Sequence, residues 1–394
     1  MNEDQCLKTC SPSFVTKTVC CSIANPYVRF VAGSASANVS RETGIMTRMN
    51  TPIKNILPSE FDALVNELGQ PSFRSKQLFE WLYGKGAQSY DEMTNLPAKF
   101  RTQLAQEHPL HNVEVLEHAI SSDGTHKMIL QYHDGVCVET VAIPSRNGER
   151  LTVCFSTQAG CPMACAFCAT GKEGLSRNLS AGEIVDQVLT VQRLLGRRVS
   201  NVVGMGQGEP FLNYDNVLAA LRIMNSDKGL GIGARHICIS TCGIIPGIER
   251  FSHEPEQFTL AVSLHSANQA TRLQLMPKTN SFPLPELKSS LARYIEATNR
   301  RVTFEYIMIE NVNDKESDLH ELLQFCKGLL CHVNLIPINA VPESPFKPSK
   351  QQTIQKWIDV TAKHGIETTL RDSRGSDIAG ACGQLKNTFT QQHS

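Results

Sequence analysis

The sequence predicts an α/β fold: a partial TIM-like barrel of six strand–helix units, preceded by a small N-terminal helical domain and a connecting β-hairpin. Three observations predict this class. Apolar strand-like runs alternate with helical segments after residue 150, helical periodicity precedes them, and a two-residue turn signal lies between the two regions. The length of 394 residues leaves room for a barrel and a smaller domain.

We expect the chain to be divided into a tail or a stretch upstream of the true start (1–50), a helical domain (51–108), a β-hairpin linker (109–150), the barrel (151–386) and a C-terminal tail (387–394). In the helical domain, apolar residues recur at the spacing of one buried helix face, as at Phe61, Leu64, Val65 and Leu68. The basic side chains of this domain are either a solvated face or contacts to phosphate groups.

The hairpin is predicted by Asp134-Gly135, a turn dipeptide between the strand-like runs 127–132 and 136–143. Alternation along the second run places Glu139 on one face with Val141 and Ile143. Apolar neighbours can raise the pKa of a carboxyl group. Glu139 is therefore either a candidate proton acceptor or a glutamate at the surface edge of the sheet.

The barrel is predicted from six apolar runs, most of them followed by a helical stretch. These runs are 151–155, 201–205, 236–240, 258–264, 302–309 and 333–336. Regular alternation of strands and helices is typical of parallel βα units, in which chemistry lies in the loops after the strands. We therefore expect functional residues directly after these runs.

Composition and charge exclude several classes of protein. Lys and Arg together number 38, as do Asp and Glu, so a cationic coat for nucleic acid is excluded, although a local basic face is not. The uncharged run 151–171 contains polar residues, glycines and a proline, and we do not expect it to span a membrane. Fourteen cysteines in a chain of this length indicate intracellular thiols, metal ligation or redox chemistry.

Three cysteines follow the first barrel strand with C-x3-C-x2-C spacing: Cys161, Cys165 and Cys168. A structural zinc site usually has four protein ligands, and no fourth lies nearby in the sequence. A four-iron cluster held by three cysteines leaves one iron open to a small molecule. The spacing therefore favours an iron–sulfur cluster with a catalytic role over zinc or buried thiols.

This motif resembles that of radical S-adenosylmethionine (SAM) enzymes. In that superfamily the open iron binds the amino and carboxylate groups of SAM, and an electron from the cluster yields a 5′-deoxyadenosyl radical. The resemblance implies one [4Fe–4S] cluster bound by three cysteines, namely Cys161, Cys165 and Cys168.

Further segments resemble the RlmN family of RNA adenine methyltransferases, from about residue 57 to residue 385. These segments are 138–140, 204–210, 239–243, 263–265, 334–339 and 381–385. The resemblance implies that seven residues in the strand-end loops bind SAM: Gly208, Glu209, Ser240, Ser263, Leu264, His265 and Asn339. Taken singly, Ser240, His265 and Asn339 are equally well ordinary polar residues at strand ends.

The resemblance also implies a methyl relay that uses two SAM molecules per turnover. Carbon-2 of adenine is electron-poor and is not a nucleophile, so ordinary methyl transfer from SAM cannot work there. In the family, one SAM methylates Cys382, and the radical from a second SAM removes hydrogen from that methyl group, which then adds to adenine. Cys154 attacks the sulfur of Cys382 and forms a transient disulfide, while Glu139 is the proton acceptor. Without the resemblance, Cys154 is a core residue and Cys382 lies in a glycine-rich loop.

The implied substrates are 23S rRNA and tRNA, with an electron donor such as flavodoxin or ferredoxin. The helical domain would then be an RNA-binding accessory domain, and Arg371 and Arg374, close in sequence to Cys382, would contact phosphate groups. The resemblance further implies a monomeric, cytoplasmic enzyme without a membrane partner. Turnover of the thiol pair requires a reducing compartment.

Two alternatives remain open from the sequence. A Cfr-type enzyme, which methylates carbon-8 of the same rRNA adenosine, shares the cysteines and the cluster. A non-enzymatic iron–sulfur or zinc protein that binds RNA is the alternative from a different class, although it would have no need of the polar residues at the strand ends.

Overall fold

The computed structural model describes residues 50–339 and 344–385. The predicted tails, apart from Asn50, lie outside the described residues. The predicted fold class is confirmed: the described chain is an α/β protein with a large mixed sheet and helices that follow most of its parallel strands.

The first part of the described chain is helical. Helices α1 (Phe61–Glu67), α2 (Phe73–Phe79) and α3 (Ala98–Glu107) are joined by short turns. A π-helical turn at Glu80–Gly84 extends α2. Apolar side chains from these elements are buried together: Leu64, Leu78, Leu82, Phe100 and Leu104.

Four strands begin the sheet, and each pairs antiparallel with the next: β1 (Glu114–Ile120), β2 (His126–Gln131), β3 (Cys137–Pro144) and β4 (Leu151–Cys154). The predicted hairpin is β2–β3. It continues the barrel sheet directly, because β3 pairs with β4, and β1 adds a strand that the sequence pattern did not predict.

The remaining strands of the large sheet are parallel neighbours. They are β7 (Asn201–Gly204), β8 (Ile237–Thr241), β9 (Thr259–Ser263), β10 (Val302–Met308), β11 (Cys331–Pro337) and β12 (Glu367–Leu370). Their order is β4-β7-β8-β9-β10-β11-β12, so the sheet is open between β1 and β12. Between β4 and β7, the short strands β5 (Gln158–Gly160) and β6 (Leu175–Asn178) form a separate pair.

Helices follow most of the parallel strands. They are α4 (Ala181–Leu195), α5 (Tyr214–Asn225), α6 (Ile245–Ser252), α7 (Gln269–Leu275), α8 (Leu284–Thr298), α9 (Glu316–Cys326) and α10 (Gln351–Lys363). No helix in the described ranges combines the length and the apolar character needed to span a bilayer.

Helix α4 has clear signals at both ends and contacts the turn at Ile53–Asn55. Ser180 and Glu183 form a capping box, and Gly196 ends the helix in the left-handed conformation. A Cβ atom on Gly182 would lie 2.2 Å from the carbonyl oxygen of Lys54, so only glycine permits this approach. Beside it, Lys54 Nζ lies 2.5 Å from Asp186 Oδ1, and both side chains are buried.

Candidate active site

Two adjoining cavities lie at the carboxyl ends of the parallel strands. The three-cysteine cavity, of about 160 Å³, is lined by Cys161, Cys165 and Cys168. The Cys154 cavity, of about 260 Å³, is lined by Cys154 and by the loop that carries Cys382. Residues that line both include Cys168, Met205, Arg371, Cys382 and Gly383. Cys382 therefore faces both cavities.

The cysteine loop is held by main-chain hydrogen bonds. The N–H of Cys161 donates to Gly174 O over 2.7 Å, and the N–H of Ala166 donates to Leu275 O over 2.9 Å. Ala164 takes the left-handed conformation with φ of 53°, which is unusual for a residue with a side chain. The loop is thereby fixed against the end of α7.

The surroundings of Cys161, Cys165 and Cys168 disfavour the deprotonated form of these thiols. Burial raises the pKa of Cys161 to about 12 and also raises the pKa values of Cys165 and Cys168. Neighbouring thiolates add to the increase for Cys165. Iron would supply the positive charge that stabilises three thiolates in this place, so the donor set fits a three-cysteine [4Fe–4S] cluster. Within the described ranges, no three His, Cys, Asp or Glu side chains form a group that could hold a single metal ion. A [4Fe–4S] cluster does not require three side chains around a single metal ion, because each thiolate would bind a different iron atom.

Most residues predicted to bind SAM lie around the same cavity. Its lining includes Gly208, Glu209, Ser240, Ser263 and His265. A Cβ atom on Gly208 would lie 2.7 Å from the side chains of both Thr157 and Gln158, so this loop accepts only glycine. Leu264 is buried in the core, and its N–H donates to Glu305 O over 3.0 Å.

Glu209 joins the ends of two strands. Its Oε1 accepts the N–H of Phe211 over 3.0 Å, and its Oε2 accepts the N–H of Cys242 over 2.8 Å. Burial raises the pKa of Glu209, and the hydrogen bonds from Cys242 and Phe211 oppose that increase. The carboxyl group fixes the loops after β7 and β8 and still borders the cavity.

His265 adopts a strained main-chain conformation with φ of 56°. Its Nδ1 accepts the N–H of Ile307 over 3.1 Å, which leaves the ring proton on Nε2. Burial lowers the pKa of His265 to about 3, with a smaller contribution from the charge of Arg272, so the ring is neutral. The edge of the ring packs against Phe167 of the cysteine loop, with 4.7 Å between centroids.

The loop that carries Cys382 is bonded to the cysteine loop and to β11. Asn339, just after β11, donates from Nδ2 to Cys382 O over 3.1 Å. The N–H of Ala169 donates to Gly383 O over 2.8 Å, and Thr170 Oγ1 donates to Leu385 O over 2.7 Å. Asn339 thus lines the Cys154 cavity and contacts the Cys382 main chain.

Cys154 lies at the end of β4, packed against Val141 and Leu385. Burial raises the pKa of Cys154 to about 12, the charge of Cys382 adds to this, and Arg371 opposes it. Both cysteines are free thiols in the structure. The predicted pair therefore lines one cavity, with Cys154 as the more buried partner.

Arg371, which the sequence suggests as a phosphate contact, directly follows β12, and that contact stays a prediction. It lines both cavities, and its Nη1 lies 3.5 Å from Glu305 Oε2. The nearby Cys382 thiolate is the main cause of a raised pKa for Arg371. Arg374, also expected at phosphate, lies at the rim of the Cys154 cavity with its Nε 3.1 Å from Asp123 Oδ2.

Glu139 is buried on β3, and Lys127 Nζ lies 3.2 Å from its Oε1. It is not among the lining residues of either cavity, although Ile143, on the same face of β3, lines the Cys154 cavity. The main-chain oxygen of Glu139 accepts Ser156 Oγ over 2.7 Å. The carboxylate is thus placed beside an ammonium group, near the wall of the cavity.

The sequence pattern missed the roles of Arg371, Glu305 and Cys242 in the walls of the cavities. Arg371 directly follows β12, a strand whose Glu-Thr-Thr-Leu sequence has no apolar run. Glu305 lies within the predicted strand 302–309, and only its position opposite Arg371 distinguishes it. Cys242 lies in the segment 239–243 that resembles the family, and its position two residues after Ser240 is the one signal in the sequence that points to the cavity.

The chain is similar to known proteins over most of its length. Residues 155–325 match the model of the radical SAM superfamily, and residues 52–109 match the ribosomal RNA large subunit methyltransferase N-terminal domain. A Clostridium novyi protein, "Probable dual-specificity RNA methyltransferase RlmN", is 41% identical over 86% of this chain and 100% of its own length. A protein of the same description from Thermosynechococcus vestitus is 46% identical over 83% of this chain and 96% of its own length.

A solved structure shares the architecture. The crystal structure of a radical SAM methyltransferase from Sphaerobacter thermophilus matches with a TM-score of 0.80 and 42% identity, covering 85% of this chain and 99% of that chain. The similarity includes both the helical region and the barrel, as the two family models do. The chain belongs to the RlmN family of radical SAM RNA methyltransferases.

Proposed function

We propose that this enzyme methylates carbon-2 of an adenosine in 23S rRNA and in tRNA, through a methyl group carried on Cys382. The observation that carries this proposal is the position of Cys382, which lines the cavity of the three cysteines and also the cavity of Cys154. One side chain can therefore receive a methyl group at the SAM site and present it to a base in the neighbouring space. The helical region matches a domain model from rRNA methyltransferases, which supports a role in RNA binding.

The cysteine Cys382 is the methyl acceptor in the first half of the reaction. Its thiolate displaces S-adenosylhomocysteine from SAM and becomes a methyl thioether. Arg371 lines the same two cavities as Cys382 and supplies a positive charge beside the sulfur that reacts. The hydrogen bond from Asn339 holds the main chain of Cys382 in place.

The second half needs radical chemistry because carbon-2 of adenine is electron-poor. Cys161, Cys165 and Cys168 would hold a [4Fe–4S] cluster that, with a second SAM, would supply the radical needed to remove a hydrogen atom from the methyl group. Carbon-2 then becomes bonded to Cys382 through that carbon, and the resulting adduct radical would return one electron to the cluster. Glu139, with Lys127 Nζ 3.2 Å from its Oε1, accepts the proton lost from the base.

The thiol of Cys154 ends the cycle. It loses its proton and attacks Cys382 sulfur, which forms a disulfide and breaks the carbon–sulfur bond to the RNA. The released carbon takes up one proton and becomes the methyl group of the product. External thiols then reduce the disulfide. We further propose a monomer that works in the cytoplasm with a flavodoxin or ferredoxin as electron donor.

Mass spectrometry of nucleosides tests the proposal. Reconstituted enzyme, SAM and a low-potential reductant are incubated with 23S rRNA fragments or tRNA, and 2-methyladenosine is expected from both. 8-Methyladenosine would instead identify a Cfr-type enzyme. Zinc in place of iron in the purified protein, or no cleavage of SAM, would indicate the non-enzymatic RNA-binding alternative.

Two cysteine variants test the relay. Cys382→Ala is expected to abolish methylation, and full turnover by this variant would contradict the carrier role. Cys154→Ala is expected to accumulate protein crosslinked to RNA on a denaturing gel. Normal turnover with no crosslink would contradict its role in product release. Cys326→Ala, a buried thiol outside both cavities, is the matched control.

A further inference from the structure

Arg272 is a buried arginine with incomplete hydrogen bonding. It lies on α7 and is fully buried, and its Nη2 donates to Cys242 O over 2.6 Å. Its Nε and Nη1 have no hydrogen-bond partner among the described residues, and no ion pair found in the described ranges includes Arg272. A buried guanidinium is costly unless a negative charge compensates it. The described protein atoms alone therefore do not account for this charge.

The groups that face Arg272 belong to the wall of the three-cysteine cavity. Its charge lowers the pKa of Cys165 against the larger effects of burial and neighbouring thiolates, and it also lowers the pKa of His265. Cys165, Cys242 and His265 all line that cavity, and Arg272, which is not among its lining residues, is bonded to the main-chain oxygen of Cys242. Gly243 leaves room for the guanidinium, since a Cβ atom there would lie 3.1 Å from Nη2.

Helix α7 also holds the cysteine loop by a main-chain hydrogen bond. Leu275, at its carboxyl end, accepts the N–H of Ala166 over 2.9 Å, and Ala166 lies between Cys165 and Cys168. The next residue, Met276, lines the cavity. The helix that fixes the loop is therefore the one that places a positive charge behind it.

We propose that Arg272 is a positioning residue that compensates the negative charge of the cluster and raises its reduction potential. This inference rests on the proposed function, in which the three cysteines hold the cluster. A four-iron cluster with three thiolates is net negative and gains one further negative charge on reduction. A fixed positive charge behind Cys165 favours the reduced form. Burial of Arg272 is tolerated because the negative charge of the cluster compensates its guanidinium.

The test compares Arg272→Met, Arg272→Lys and wild-type protein after anaerobic reconstitution. A redox titration followed by electron paramagnetic resonance measures the midpoint potential of the cluster, and iron and sulfide analysis measures its content. Arg272→Met is expected to bind the cluster with a more negative midpoint potential, and Arg272→Lys is expected to stay near wild type. Arg300→Gln is the control. It removes another partly buried arginine bonded to main-chain oxygens, at the opposite end of β10 from the cavity.

The stability of the apoprotein separates this role from a structural one. Without the cluster, Arg272→Met should unfold at a temperature no lower than wild type, because it removes an uncompensated buried charge. Equal midpoint potentials for Arg272→Met and wild type would overturn the inference, as would an apoprotein of Arg272→Met that is markedly less stable. If Arg272→Met does not fold, Arg272→Gln replaces it in the titration, and a midpoint potential equal to that of wild type would again overturn the inference. Wild-type protein that binds no iron–sulfur cluster would overturn the proposed function itself.

Discussion

Asn339 donates a hydrogen bond from its Nδ2 to the main-chain oxygen of Cys382 over 3.1 Å. The family resemblance implies that Asn339 binds SAM and that Cys382 carries the methyl group, and the structure joins these two residues by a direct hydrogen bond. The loop after β11 therefore has a second effect, which is to hold the carrier loop at the shared wall of the two cavities.

Asn339→Asp replaces the donor with an acceptor that faces the carbonyl oxygen of Cys382. A lost hydrogen bond and the added repulsion should reduce the methylated fraction of Cys382 by about tenfold, equivalent to about 1.4 kcal/mol. Intact-protein mass spectrometry after anaerobic incubation with SAM measures this fraction. Asn299→Asp, in the left-handed residue that ends α8, is the control. An unchanged fraction in Asn339→Asp would show that the bond does not position the carrier.

Arg371→Gln removes the positive charge beside Cys382 while keeping a polar side chain. The sulfur that attacks SAM loses a neighbouring positive charge, so the rate of Cys382 methylation should fall by about tenfold at neutral pH. Arg371→Lys should keep most of the rate. The same mass measurement, taken as a time course, checks this. A rate in Arg371→Gln equal to that of Arg371→Lys would rule out an effect of charge.

The raised pKa of Cys154 has a consequence for product release. Because burial raises this pKa to about 12, Cys154 is protonated near neutral pH, and only its thiolate attacks the sulfur of Cys382. The thiolate fraction increases about tenfold per pH unit below the pKa. We expect the lifetime of the crosslink between enzyme and RNA to shorten from pH 6.5 to pH 8.5, as measured on denaturing gels in single-turnover reactions. A constant lifetime across this range would mean that a protein base removes the proton.

Sequence alone located the central strands because buried parallel strands are continuous apolar runs. It missed β12, of which Glu367 and Leu370 are exposed, and β1, which lies at the edge of the sheet. Because β12 was not predicted, the sequence did not show that Arg371 lies at the end of a strand, where it lines both cavities. Its contact with phosphate stays a prediction.

The cysteine motif and the strand-end residues were predictable because each is local in sequence. The charged side chains that lie beside the cavities could not be predicted in this way, because their positions depend on tertiary contacts. Nothing in the sequence around Arg272 distinguishes a solvent-facing helical arginine from a fully buried one. Likewise, Glu305 acquires its significance from Arg371, which lies 66 positions away.

The buried ion pair between Lys54 and Asp186 provides a test of the contact between the first described turn and helix α4. Lys54→Met leaves the Asp186 carboxylate buried without its partner, which should cost about 3–5 kcal/mol of unfolding free energy at neutral pH. Burial raises the pKa of Asp186, and Lys54 opposes that increase. Removing Lys54 should raise this pKa further. A carboxyl whose folded pKa exceeds its unfolded pKa stabilises the fold only while it is protonated, so the variant should lose stability as pH rises from 5 to 8.

Urea unfolding of the apoprotein, followed by circular dichroism, measures the effect. Lys54→Met combined with Asp186→Leu should recover most of the loss, whereas Lys356→Met in an exposed pair with Glu316 should cost less than about 1 kcal/mol. Equal losses in the buried and exposed pairs would contradict this account of the contact.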